Sequence, residues 1–330
     1  MFQMAYRLKP DQSFDAGVRR IGLEQIDRAL HQLQSGDEEG KAIHETRKAL
    51  KRIRALLRLV KPGLSSHVYA AENARYRDIG RLLSGARDSH VLIETVNKFE
   101  TLTAGRTKSA FAAARTRLSR TESGDAASDR ETAIAEAVAG LTEGREAMAG
   151  LVFKDSGIEV AIEGMARTYR RAARAFEQSY KTLDGEDLHE WRKFVQHHWR
   201  QMSLLAEAWP EMAHARVVAA KEVSNLLGED HDISVMLAAI EGEGGSPKVG
   251  AGKSGKLAVA AVAAAKGHRG KMSGGQQKLT HACAVERQAE LRAACHKLGL
   301  RLFAEPADAF AERMRHYWAS AETAHDLPTQ

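Results

Sequence analysis

Along most of the chain, apolar residues recur at three- and four-residue intervals, the period of a helix with one buried face. In GKAIHETRKALKRIRALLRLV, starting at Gly40, the residues Ala49, Leu50, Ile53, Leu56, Leu57 and Val60 gather on one side of a helix wheel. The wheel advances about 100° per residue, which puts the cations on the opposite side. Period-two alternation is scarce, and only 6 prolines interrupt 330 residues, so the pattern predicts an all-α fold. Gly, Pro and Ser punctuation places helices at 13–34, 37–60, 66–84, 88–104, 107–121, 129–149, 157–183, 186–208, 211–227, 231–241, 276–299 and 305–322. Pro62–Gly63 and Pro210 stop two of them. EGEGGSPKVGAGKSGK breaks the period, and the Ala-rich LAVAAVAAAK after it reads as a further helix; 242–275 is expected to be a flexible insertion.

The pattern also repeats. HETRKALKRIR begins at His44, and HEWRKFVQHHWR begins at His189, 145 positions later. RDIGRLLSGARDSHVL, from Arg77, then aligns with KEVSNLLGEDHDISVM, from Lys221, at an offset of 144. Arg77 falls on Lys221, Arg87 on His231, and Asp88 on Asp232. Two matched elements in one order at nearly one offset imply an internal duplication. The expected organisation is two pseudo-symmetric helical bundles, 1–150 and 151–330. H-E-x-x-H would open a zinc motif the same way, but Lys48 and Lys193 stand where the second His is required. No metal, cofactor or catalytic residue is expected.

Charge gives the repeated helices their content. Lys and Arg exceed Asp and Glu, 49 against 43, for a net charge of +6. That excess is modest, so its placement matters more than its size. With His44 at zero on the wheel, Arg47, Lys48, Lys51 and Arg58 lie within about 60°, flanked by Arg52 and Arg54; this makes a row of cations about 20 Å long. Between Lys41 and Lys61 only Glu45 is acidic. A helix built for solubility intersperses acids at i,i+4, so this one should find relief in an anion. In the second copy His189, Arg192, Lys193 and Arg200 take the matching side with His197 beside them, while Gln196 replaces a cation and Trp199 replaces Arg54. His198 falls on the apolar side, as a hydrogen-bonded core histidine. Arg167, Arg170, Arg171 and Arg174 form a third stripe at i, i+3, i+4 and i+7, with Tyr169 and Phe176 expected in the core. Arg75, Arg77 and Arg81 add a partial fourth, and Arg20 points away from the apolar side of the first helix.

The two cysteines, Cys283 and Cys295, form no ligand spacing or disulfide framework, which suits a reducing, cytoplasmic setting. No signal-peptide pattern and no long apolar run is seen, so no membrane span is expected.

The motif at 44–54, its weaker copy at 189–199, the R-D element at 87–92 and LGLRLFAEPADAF before the last helix together resemble the CHAD family, the conserved-histidine α-helical domain. The resemblance covers about Tyr6 to Trp318. It implies two bundles whose basic helices line a central groove or pore for inorganic polyphosphate, with phosphate or sulfate as mimics. It also implies association with polyphosphate or polyhydroxyalkanoate granules. Carried over by position, the lining comprises His44, Arg47, Lys48, Lys51, Arg52 and Arg54 from the first copy and His189, Arg192 and Lys193 from the second. The stripes add Arg20, Arg77, Arg81, Arg167, Arg170, Arg171, Arg174, His197, Arg200 and Lys221. Some family members carry a triphosphatase domain with an E-x-E-x-K strand; this chain has only E-x-E-x-G from Glu241, which resembles a stand-alone binding domain.

The expected function is therefore non-enzymatic binding of polyphosphate. Affinity should rise with chain length, fall with salt, and tighten below about pH 6.5 if His44 and His189 donate as imidazolium. One rival is an enzyme acting on phosphoanhydrides, which would ordinarily hold Mg²⁺ on carboxylates. Another is non-specific nucleic-acid binding, disfavoured because aromatics are 6% of residues and do not interleave with the basic faces.

Overall fold

The computed structural model describes residues 6–35, 39–83, 97–98, 101, 126–241 and 274–327. These are helical almost throughout, with no strand among the described residues. The helices are α1 (Phe14–Gln34), α2 (Glu39–Leu59), α3 (Ser66–Leu82), α4 (Ala126–Ala149), α5 (Ile158–Thr182), α6 (Gly185–Leu204), α7 (Pro210–Glu241), α8 (Gly274–Leu302) and α9 (Ala307–His325). Short 3₁₀ turns follow α2 (Lys61–Gly63) and α6 (Ala206–Ala208). Local chemistry sets several ends. The Ser65 hydroxyl accepts from the Val68 amide at 3.2 Å, and the Asp184 carboxylate accepts from the Glu186 amide at 2.8 Å, each satisfying an orphan N–H of a first turn. Pro62 and Pro210 stand where α2 gives way to its turn and where α7 begins.

The expected helices at 88–104 and 107–121 fall almost entirely outside the described residues, as do Arg87, Asp88 and residues 242–273 of the expected insertion. One expectation is corrected. The segments 211–227 and 231–241 are a single helix, α7, which runs through residues 228–230 without a break. Gly228 is there for packing: a Cβ would lie 2.7 Å from the Arg192 guanidinium. Leu227 is buried in one apolar cluster and Ile233 in the next, so both sides of the glycine are held to one axis.

Packing follows the same cycle in each half. α1 packs on α2, α2 on α3, α3 on α4, and α4 back on α1. α5 packs on α6, α6 on α7, α7 on α8, and α8 touches α5. The second helix of each cycle carries the basic motif, and these two helices, α2 and α6, also pack on one another. The main core contains Ile21, Ile53, Leu56 and Met148 together with Met165, Tyr169, Leu204 and Phe310, so it crosses residue 150 without a break. A second cluster centres on Phe176, Trp191, Val195 and Val223, and a third joins α7 to α8.

α2 and α5 meet because of a glycine. A Cβ on Gly164 would lie 1.8 Å from the Leu59 carbonyl oxygen, so only glycine lets α5 press on the end of α2. The Lys154 amide donates to the Gly63 carbonyl at 2.8 Å and ties the segment before α5 to the same place. The end of one basic stripe is thereby laid beside the middle of another.

Candidate functional site: a basic pocket between α2 and α5

At this junction lies a pocket of about 310 Å³. Six cations line it: Arg58 and Lys61 from the end of α2, and Arg167, Arg170, Arg171 and Arg174 from α5. Gly164 and Thr168 complete the wall, so the lining holds no carboxylate. Two of the six have acidic neighbours outside it: Arg167 pairs with Glu163, and Arg170 with the exposed Asp308 at 2.7 Å. Arg58, Lys61, Arg171 and Arg174 make no ion pair among the described residues. The Arg58 Nε is buried with no hydrogen-bond partner there. Lys61 lies 4.7 Å from the centre of the Tyr69 ring. Its pKa is lowered by desolvation and then by Arg171, Arg58 and Arg167, so these charges repel across the pocket.

The positive field continues inward along α2 and α6. Arg54 donates to Asn73 Oδ1 at 3.2 Å, and its pKa is lowered by burial and by Arg58, Arg77 and Arg81. His197 of α6 is pushed well below the ordinary imidazole range by burial, then by Arg58, Arg200 and Arg54. It is neutral at pH 7, and its Nδ1 has no partner among the described residues. Arg200 is 7% exposed. It donates to the Gln196 carbonyl at 2.7 Å, leaves its Nε unpartnered, and is lowered to about 10 by burial, with Arg52 and Arg192 adding repulsion. Arg52 lies 5.6 Å from the Tyr6 ring centre and donates to Gln25 Oε1 at 3.3 Å.

The two motif copies share their local geometry. Arg47 donates to the Gly80 carbonyl at 3.3 Å, and Arg192 donates to the Ser224 carbonyl at 3.1 Å. Lys48 pairs with Glu45 at 2.7 Å, and Lys193 with Glu190 at 2.8 Å. All four partners keep the 144–145 offset of the sequence repeat. His189 stacks on His231 with ring centres 4.9 Å apart. Burial, then His231, Lys193 and Arg192, lowers His189 to about 4. Without a ligand, His189 is therefore neutral at pH 6.5.

Other expected residues lie at varied distances from the pocket. Lys51 and Lys221 are exposed, and His44 is partly buried at the other end of α2. Arg77 and Arg81 share Asp78, at 2.8 and 2.9 Å. Arg20 is engaged elsewhere: it donates to Gln12 Oε1 at 3.0 Å, Glu24 Oε1 at 3.2 Å and the Arg7 carbonyl at 2.8 Å, fastening the N-terminal segment. Its polar position on the wheel does not place it in the basic pocket. His198 is in the core as expected, against Tyr169 and Phe310, but neither ring nitrogen has a hydrogen-bond partner among the described residues. The sequence reading left Arg58 and Lys61 out of the site. Arg58 carried the right wheel position, while Lys61 lies past the helix, where periodicity says nothing.

Among the described residues no helix is long and apolar enough to cross a membrane, and no group of three or more His, Cys, Asp or Glu could hold a metal ion. No curated protein matches the chain. A family model for the CHAD domain matches residues 23–241, which span α2, α5 and α6 with all six pocket cations, and the chain belongs to the CHAD family.

Proposed function

We propose that this protein binds inorganic polyphosphate and does no chemistry on it. The observation that carries the reading is the pocket: six cations converge, four have no ion pair among the described residues, and the lining has no acid. Arginine forks bind non-bridging phosphate oxygens in pairs, and lysine adds a point charge. A chain seated there relieves the repulsion among these cations. Beyond it, Arg54 and the buried Arg200 extend the positive field toward the α2–α6 seam. The matched hydrogen bonds of the two motif helices and the matched packing cycles support an origin by duplication. Recruitment to polyphosphate granules follows if the site holds long chains in the cell.

The test is a binding isotherm with labelled long-chain polyphosphate, run beside an assay for released phosphate and a DNA competitor. Saturable binding, no phosphate release, and weak competition by DNA are expected. Absent binding, or turnover of the chain to phosphate, overturns the reading.

A further inference from the structure

The pocket has a charge density that suits one part of a phosphate chain better than the rest. At about 310 Å³ it is at the small end of ligand pockets, which run from about 300 to 1,000 Å³. Yet Arg58, Lys61, Arg171 and Arg174 bring four positive charges without ion pairs among the described residues. An internal unit of linear polyphosphate carries about one negative charge, whereas a terminal phosphoryl group carries about 1.5 to 2 near pH 7. The terminal group also offers three non-bridging oxygens where an internal unit offers two. Three arginine forks and one ammonium in a small volume therefore match a chain end. The second motif helix offers no equivalent: Ser203 holds the position of Arg58 and Ala206 that of Lys61.

We infer that the α2–α5 pocket seats the terminus of a phosphate chain, so that a linear oligophosphate of three units is itself a ligand. The inference rests on polyphosphate being the ligand of this site, and adds which part of it is recognised. Linear tripolyphosphate carries about four to five negative charges near neutral pH, which the four cations nearly balance. The remainder of a long chain then runs out toward Arg54 and the α2–α6 seam.

The experiment is displacement of labelled long-chain polyphosphate from the full chain in magnesium-free buffer. The competitors are linear tripolyphosphate, cyclic trimetaphosphate with the same phosphorus count, and cyclic tetrametaphosphate, which nearly matches the linear charge but has no end. Linear tripolyphosphate should displace the label at concentrations at least tenfold below either ring. Lys61→Ala and Arg171→Ala, both on exposed side chains that leave the core intact, should each raise the linear competitor's midpoint about fivefold and shift the rings' midpoints less than twofold. Equal potency of line and ring overturns the inference. So does failure of tripolyphosphate to displace a label that binds well. If the label itself does not bind, the polyphosphate reading falls first; calorimetry of tripolyphosphate alone then upholds the pocket by a saturable isotherm or ends it by a flat one.

Discussion

Removing one pocket cation should change how strongly salt weakens binding, and by a calculable amount. Each cation that neutralises a phosphate releases condensed counterions, so log K falls with log salt at about 0.7 per contact for a flexible single strand. The four cations without ion pairs, Arg58, Lys61, Arg171 and Arg174, give a slope of about −2.8, or about a 600-fold loss of affinity for a tenfold rise in salt. Arg171→Ala should bring the slope to about −2.1, and the loss to about 130-fold. Arg167→Ala should change it less, because Glu163 already neutralises part of that charge. Arg145, which pairs with Asp27 at 2.7 Å on another surface, is the control, and its alanine variant should keep the parental slope. Isotherms with labelled polyphosphate at five salt concentrations measure all four proteins. If every arginine and lysine of the sequence-derived site took part, 16 contacts would give a slope near −11. A slope of that size would mean the charge is used diffusely. A slope shallower than about −1, or one unaltered by Arg171→Ala, would remove the pocket from binding altogether.

Other perturbations test the frame around the site. Gly164→Ala sets a methyl group against the Leu59 carbonyl oxygen; it should cost at least the ~1–3 kcal/mol of ordinary overpacking and weaken polyphosphate binding as α5 moves off α2, read by a thermal melt and an isotherm. His198→Phe should stabilise, since the ring lies beside the stacked Tyr169 and Phe310 with both nitrogens unpartnered among the described residues. The same variant should flatten the acid limb of stability. The folded pKa of His198 lies below the ordinary 6.5 because of burial and then Arg216, so the unfolded chain takes up the proton first. Stability is then full above about pH 6.5 and falls as pH drops, by up to about 1.4 kcal/mol per unit for each such histidine. Urea melts at pH 7 and pH 5 show the effect. Leu183 has φ of +53° at the end of α5 and is 50% exposed. Leu183→Asn should stabilise by about 1 kcal/mol, and an unchanged denaturation midpoint would show the left-handed backbone to be unstrained.

Most of the helical frame was legible because its signal is local. The apolar side of the first motif, from Ala49 through Val60, is buried as its period requires, and Tyr169 and Phe176 are in the core. The failures share one cause, which is that a wheel orders residues around one axis and says nothing of what lies across from it. It ended one helix at 227 and began another at 231, although α7 runs through both. It set Arg20 on a polar side but could not show that the N-terminal segment lies over that position and accepts its hydrogen bond. It stopped at Val60 and missed Lys61, which lines the pocket from the 3₁₀ turn that follows α2. The meeting of two stripes depends on Gly164 touching Leu59, more than a hundred residues away in sequence. A lone glycine inside the basic stretch IEGMARTYRRAAR was the available clue, since glycine within a helix costs up to about 1 kcal/mol against alanine and calls for a packing reason.

The unequal charge of the two motif copies follows from their contact. Two unit charges about 6 Å apart at an effective dielectric near 20 repel by about 3 kcal/mol. Two fully basic helices packed on one another would accumulate several such pairs with no ligand present. The second copy lacks those charges at matched positions: Gln196 for Lys51, His197 for Arg52, Trp199 for Arg54 and Ser203 for Arg58. Trp199 packs against the second apolar cluster and receives Arg200 at 4.1 Å from its ring centre, so the substitution adds burial where charge is lost. His197 keeps the capacity to become a cation while staying neutral among Arg54, Arg58 and Arg200. An anion entering from the α5 side would supply the opposite charge and draw that pKa upward, so ligand binding and proton uptake at the seam favour one another. Asymmetry between the copies thus lets α2 and α6 pack in the absence of ligand, while the open pocket at the end of α2 keeps the stronger charge.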